Sequence, residues 1–209
     1  MIVDIHEAMS RLAASRPIFH SEADFQHALA WDLHARLPDM AVRLELPVHV
    51  PGKILHLDLW LAGPTGSVAI ELKYKTRGLA LSAGGEPFFL KDQSAQDLGR
   101  YDFLKDVQRI EQIISSHPGV QGWAILLTND SSYWKTPNGK ATTDSAFRIH
   151  DGHSIAGTLR WASHAAPGTT RGREAPIALS RTYLSHWNDY ATVSAGPYGS
   201  FRYLAFSLT

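Results

Sequence analysis

The feature that most constrains the fold of this chain is a run of three alternating segments between residues 42 and 73. Apolar side chains occupy every second position of 42–50, 55–61 and 68–73. This alternation is typical of β-strands with one buried face. Pro51-Gly52 and residues 63–66 supply turn residues between the segments. The pattern therefore predicts an antiparallel three-stranded meander.

Helical patterns precede the meander. Residues 4–14 carry a short apolar stripe at helical spacing. Ser21 begins a second pattern and Asp24 stands at the third position of a capping box. The apolar face of this second helix continues until Pro38, which ends it.

The segments after the meander predict a further helix and several strands. Residues 78–92 are rich in glycine, and we expect them to be irregular. A long helix is predicted from about residue 94 to 115, and the apolar run 122–128 predicts a buried strand. Residues 177–184 and 201–208 predict late strands. The whole order indicates a mixed α/β fold.

Folding the meander on its two turns brings several charged side chains together. Centring the turns on Pro64-Thr65 and Pro51-Gly52 places Asp58 opposite both Glu71 and Glu45. Lys73 lies two residues beyond Glu71 and shares its face. The same registers predict that one apolar face holds Leu44, Leu46, Leu57, Leu59, Ile70 and Leu72.

An aspartate facing a glutamate is unfavourable in a chain selected only to fold, because like charges on opposed strands repel. A shared proton or a hard divalent cation would remove the conflict. Mg²⁺ is held by one or two carboxylates together with waters and phosphate oxygens. With Lys73 beside Asp58 and Glu71, the set suits metal-assisted phosphodiester hydrolysis. The alternative is a solvated sheet face on which Lys73 pairs with either acid.

Asp58, twelve intervening residues and then Glu71-Leu72-Lys73 resemble the motif of the PD-(D/E)XK nuclease superfamily. The chain has Leu57 where that motif often has proline. The resemblance implies a restriction-endonuclease-like α-β-β-β-α-β core over residues 21–129. The core would have a central mixed sheet flanked by helices. Residues 130–209 would be a β-rich C-terminal extension of a single domain. Two fragments, within residues 127–134 and 187–204, are similar to uncharacterised bacterial relatives of the superfamily.

The resemblance also implies the roles of individual residues. Asp58 and Glu71 would bind Mg²⁺ or Mn²⁺, assisted by the backbone carbonyl of Leu72. Lys73 would orient or activate water. Glu22 occupies the place of an additional acid, and Asp24 is the alternative to it.

Two further positions concern the helix after the third strand. Members of the superfamily often carry glutamine or a basic residue there, and we favour Gln96 over Gln93 as a catalytic residue. A solvated polar helix start is the competing interpretation. Lys75, Arg77 and Arg100 flank the predicted site and could contact phosphates. Lys91, Lys105 and Arg109 flank it as well, and helix-surface charge is the stronger interpretation for the last two.

Histidines offer weaker candidates for function. His56 shares the face of Asp58 and could touch a substrate. His150 and His153 have a spacing compatible with zinc but lack a second pair of ligands. His20, His27 and His34 recur every seven residues and indicate a partly covered helix face.

Composition limits the remaining function classes. The chain of 209 residues lacks cysteine, which excludes thiol nucleophiles and cysteine-ligated metals. Its 20 basic and 20 acidic residues balance, but residues 1–72 carry 5 basic and 9 acidic residues while residues 140–209 carry 7 and 4. The zero net charge of the whole chain therefore does not exclude nucleic acid as a substrate, and it suggests modest, salt-sensitive affinity for it.

The sequence predicts a cytoplasmic nuclease acting on DNA, with no membrane partner and with a homodimer or partner protein as an open alternative. Two other functions remain open at this stage. One is a non-catalytic nuclease-like domain that binds nucleic acid or protein. The other is a hydrolase of small phosphate compounds.

Overall fold

The computed structural model describes residues 3–139 and 141–208. Its helices are α1 (Ile5–Ser15), α2 (Glu22–Arg36), α3 (Gln96–Ser116) and α4 (Pro167–Thr170). Its strands are β1 (Ala41–Val50), β2 (Lys53–Gly63), β3 (Gly66–Lys75), β4 (Leu79–Ala83), β5 (Glu86–Leu90), β6 (Val120–Thr128), β7 (Ser154–Leu159), β8 (Ile177–Leu184), β9 (Trp187–Thr192) and β10 (Ser200–Leu208). This is the predicted mixed α/β class, with a central mixed sheet.

The central sheet has six strands in the order β1-β2-β3-β6-β10-β9. Strands β3 and β6 run parallel and the other neighbours are antiparallel. Two apolar cores cover the sheet, one beneath α1 and α2 and one beneath α3 and the C-terminal segment. Strand β3 is buried on both faces because it lies between these two layers.

The N-terminus of α2 fixes the position of Glu22, an acid of the predicted site. Ser21 Oγ accepts a hydrogen bond from the backbone N–H of Asp24 at 3.2 Å, which confirms the predicted cap. The Asp24 carboxylate accepts from the backbone N–H of His20 and from Arg16. The Asp24 carboxylate therefore forms its hydrogen bonds beside the start of α2, whereas the Glu22 carboxylate reaches β3.

Both predicted registers of the meander are confirmed. Strand β1 pairs with β2 through Leu44 opposite Leu59 and Leu46 opposite Leu57. Strand β2 pairs with β3 through Leu59 opposite Ile70. The β2–β3 pairing ends there, one step before Asp58 and Glu71 would meet.

The prediction of a single apolar face on the meander is wrong. Leu59 packs in the core beneath α1 and α2 together with Ile70 and Leu72, but Leu57 packs beneath α3 with Leu46 against it, and Leu44 is exposed. Glu45 has a φ of 50°, a left-handed conformation that interrupts the alternation in β1 opposite Asp58. The β1–β2 ribbon therefore changes its buried face at that point.

Two stretches are more regular than the sequence indicated. Residues 78–92, which were expected to be irregular, form the β4–β5 hairpin around Gly84 and Gly85. Both glycines have positive φ, the conformation that a two-residue type I′ turn requires. Beyond residue 130, β9 and β10 are not peripheral, because they complete the central sheet beside β6.

The packing of α3 on β6 gives a test of the fold. A Cβ added to Gly122 would overlap the branched Cγ2 of Ile110 and lie 3.2 Å from Ile114. We expect Gly122→Ala to lower the free energy of unfolding by about 1–3 kcal/mol, as overpacking does. Urea denaturation measures the loss. Gly168→Ala, which meets no atom within 4 Å, serves as the control and should change stability little.

Candidate active site

The candidate site lies where β2 and β3 separate. Beyond Ile70, the backbone N–H groups of β3 that face β2 have no strand partner there. Asp58 Oδ2 accepts from Leu72 N at 2.6 Å, and Glu22 Oε2 accepts from Tyr74 N at 2.8 Å. Two carboxylates thus replace the missing ladder hydrogen bonds. The strand separation fixes both acids beside the unpaired edge of β3.

Glu71 is the most buried acid of the site, with 1% of its surface exposed. Neither of its carboxylate oxygens has a hydrogen-bond partner in the described residues. The Arg109 guanidinium comes within 2.9 Å of Oε1 but is not aligned for a hydrogen bond. Burial raises the pKa of Glu71 well above its usual value, and the nearby carboxylates of Asp106 and Asp58 raise it further.

Lys73 is held by acids from two helices. Its Nζ lies 2.9 Å from Asp106 Oδ2 on α3 and 3.9 Å from Glu22 Oε1 on α2. Burial acts to lower the pKa of Lys73, but Asp106 and Glu22 outweigh it and raise that pKa above its usual value. The side chain is therefore an ammonium ion at neutral pH.

Asp106 and Arg109 belong to the candidate site, although the sequence pattern of this stretch is typical of helix-surface charge. Asp106 is buried, and burial raises its pKa against the opposing effect of Lys73. Arg109 lies 3.2 Å from Asp106 Oδ1 and also donates to the backbone carbonyl of His56. Their spacing of three residues on one helix face was the available signal.

The two glutamines near the start of α3 bind elsewhere. Gln96 Nε2 donates to Asp130 Oδ2 at 2.8 Å, at the carboxyl end of β6. Gln93 Oε1 accepts from the backbone N–H of Thr76 at 2.9 Å. None of the hydrogen bonds described for Gln96 reaches Glu71 or Lys73.

The three cations predicted to contact nucleic acid have different environments. Arg100 is buried and bound to Asp144, so it holds the segment after β6 against α3. Arg77 forms an ion pair with Asp92 at 2.7 Å and lies under the ring of Tyr198. Lys75 lines a cleft of about 260 Å³ together with Glu22, Tyr74 and Gln93.

The histidines show no metal arrangement. His150 and His153 stack at 4.5 Å, and burial lowers the pKa of each. His56 is exposed and contributes its backbone carbonyl to Arg109. Within residues 3–139 and 141–208, no three His, Asp or Glu side chains form a ready metal cage.

Comparison of the chain with protein-family models, with curated proteins and with solved structures finds no match. In the part of the chain that the structure describes, no helix has the length and apolar character needed to cross a membrane.

Proposed function

We propose that the protein is a metal-dependent nuclease that hydrolyses phosphodiester bonds, with DNA as the expected substrate. The order α2-β1-β2-β3-α3-β6, with the β4–β5 hairpin inserted between β3 and α3 and with β3 and β6 parallel, supports a restriction-endonuclease-like core of the PD-(D/E)XK type. The arrangement of Asp58, Glu71 and Lys73 around the end of β3 supports the same assignment.

The observation that carries the proposal is the Glu71 carboxylate. A buried polar group without a hydrogen bond costs about 1–3 kcal/mol, and a charged group costs more. The approach of Arg109 to Oε1 at 2.9 Å offsets this cost only in part, since neither carboxylate oxygen gains a hydrogen bond, and a neutral side chain of similar size would avoid the cost. A cation that binds both of its free oxygens would remove it.

The residues around Glu71 fit a divalent cation. Glu22, Asp58, Glu71 and Asp106 contribute four negative charges, whereas Lys73 and Arg109 contribute two positive charges when all are ionised. The excess of two negative charges equals the charge of Mg²⁺ or Mn²⁺. Their ligands would come from Glu71, Asp58 and the Leu72 carbonyl, all hard oxygen donors.

Each residue then has a distinct task. When bound, the metal supplies Lewis acidity toward water and toward the phosphate. Asp58 and Glu22 hold the edge of β3 through Leu72 N and Tyr74 N, which keeps the donor oxygens in place. Lys73, as an ammonium ion, orients water and stabilises negative charge on the phosphate rather than acting as a base.

The test is cleavage of labelled DNA and RNA by the purified protein with Mg²⁺, with Mn²⁺ and with EDTA. We expect cleavage in either metal and none in EDTA. Asp58→Asn should reduce the rate by about 10²–10³-fold while the fold persists, because an amide oxygen can still accept from Leu72 N. Asp189→Asn, at a side chain that is 92% exposed, is the matched control and should cleave normally.

A second candidate function is a nuclease-like domain that binds without catalysis. The ion pair of Lys73 with Asp106 and the approach of Arg109 to Glu71 favour it, since these contacts offset charge within the protein. Retained nucleic-acid binding without cleavage in any metal would support this function and contradict the nuclease.

A further inference from the structure

The β4–β5 hairpin, which contacts His20 just before α2 through Phe88, exposes an aromatic ring on its other face. Phe88 and Leu90 point inward, whereas Phe89 lies on the outer face with 76% of its surface exposed. The residue opposite Phe89 on β4 is Ala80, which is too small to cover the ring. A single exposed apolar side chain is common on protein surfaces, so its surroundings decide its meaning.

The hairpin is fixed to the candidate site at its tip and at its base. Phe88 stacks on the His20 ring at 4.3 Å, and Glu86 Oε1 lies 2.8 Å from His20 Nε2. At the base, Thr76 Oγ1 donates to the Lys91 carbonyl at 2.7 Å. Because His20 stands two residues before Glu22, these contacts set the position of Phe89 relative to the site acids.

Two lysines lie in the segments next to the hairpin. Lys91 and Lys75 line the cleft of about 260 Å³ that also contains Glu22. Neither lysine forms an ion pair with a carboxylate in the described residues. Phe89 precedes Lys91 by two residues, roughly 7 Å along an extended chain, which spans about two nucleotides of a stacked strand.

We infer that this hairpin binds unpaired nucleotides, with a base stacked on Phe89 and phosphates held by Lys91 and Lys75. An aromatic platform beside a cationic cleft is the usual means of binding single strands. Inside a duplex both faces of a base are covered by stacked neighbours, so a base becomes free for such stacking in a single strand, an overhang or, on one face, at a duplex end. The inference rests on the proposed nuclease function and deepens it by naming the substrate class: single strands, or duplexes with single-stranded ends.

The experiment is fluorescence anisotropy in EDTA, where cleavage does not interfere. The probes are a labelled single strand, the blunt duplex of the same sequence and that duplex with an overhang. We expect the native protein to bind the single strand and the overhang at least about tenfold more tightly than the blunt duplex. Phe89→Ala should weaken that binding by about 5- to 100-fold, as the loss of one base–aromatic stack does. Phe89→Trp keeps an aromatic ring at this position and should bind as tightly as the native protein.

The matched control is Trp31→Ala. Trp31 is equally exposed, at 77%, but lies on α2 away from the cleft, so its loss should leave binding unchanged. Equal binding by the native protein and Phe89→Ala, or equal affinity for the blunt duplex and the overhang, would overturn this inference alone. Absence of metal-dependent cleavage with normal single-strand binding would overturn the nuclease function instead. Circular dichroism confirms that each variant is folded.

Discussion

Replacing Glu71 with glutamine is expected to abolish catalysis and to stabilise the protein. Cleavage should fall by about 10³-fold or more, because the variant loses a donor that the proposed metal and the transition state require. The free energy of unfolding at neutral pH should rise by about 1–3 kcal/mol, because the amide side chain avoids burying a charge whose two oxygens have no hydrogen bond. The two changes have opposite signs, as expected at a site whose chemistry is kept at the expense of stability.

The gain in stability should depend on pH in one direction. Burial raises the pKa of Glu71 in the folded protein above its unfolded value, so the folded state binds the proton more tightly. The stabilising contribution of this group is complete below the unfolded pKa and is lost as the pH rises through the folded pKa. The difference between Glu71→Gln and the native protein should therefore be small near pH 4 and grow toward neutral pH.

Urea denaturation of both proteins at a series of pH values measures this difference. Glu111→Gln is a demanding control, because Glu111 is also buried but accepts hydrogen bonds from Ser180 N, Arg181 N and Tyr183 Oη. That variant should lose about 1–2 kcal/mol. A Glu71→Gln variant that is destabilised like Glu111→Gln would show that Glu71 is a structural residue.

A calorimetric or fluorescence melt adds a readout that does not depend on cleavage. Mg²⁺ should raise the melting temperature of the native protein, since a ligand that binds only the folded state stabilises it. The same addition should leave the melting temperature of Glu71→Gln nearly unchanged. Equal shifts in both proteins would place any bound metal elsewhere.

The meander and its registers were predictable because their determinants are local. Alternation fixed each strand, and the turns at Pro51-Gly52 and Pro64-Thr65 fixed the pairing. Glu71 and Lys73 had to share a face, because side chains two residues apart on a strand do so. The register across the turn predicts Asp58 opposite Glu71, but the β2–β3 pairing ends at Leu59 and Ile70, and the Asp58 carboxylate accepts from Leu72 N instead.

The rest depended on contacts or conformations that alternation does not encode. Glu45 adopts a left-handed φ, so the ribbon changes its buried face without any change in the apolar pattern. Helix spacing places Asp106 and Arg109 on one face of α3, but it does not show that this face meets Lys73, which lies 33 positions before Asp106. The β4–β5 hairpin was predictable in principle, because Gly84-Gly85 between short alternating runs is a two-residue turn.

Replacing Lys73 with methionine is expected to have the opposite effect on stability from Glu71→Gln. Removing the ammonium leaves the buried Asp106 carboxylate with Arg109 as its remaining described partner, 3.2 Å away. Loss of one partner of a buried ion pair costs about 3–5 kcal/mol, because the remaining charge is uncompensated. Urea denaturation should show a loss of about 3 kcal/mol, and cleavage should fall by about 10²–10³-fold.

Loss of cleavage in Lys73→Met could follow from the weakened fold alone, and a second substitution separates the two causes. Adding Asp106→Leu removes the carboxylate that has lost Lys73 as its partner. The double variant should regain most of the lost stability, because apolar side chains can replace a buried ion pair at little cost. It should not regain cleavage, because an apolar pair can neither orient water nor offset phosphate charge. As a control, Arg16→Met breaks the more exposed pair with Asp24 and should cost less than about 1 kcal/mol. A double variant that recovered cleavage together with stability would show that Lys73 serves the fold, and the catalytic role assigned to it would be wrong.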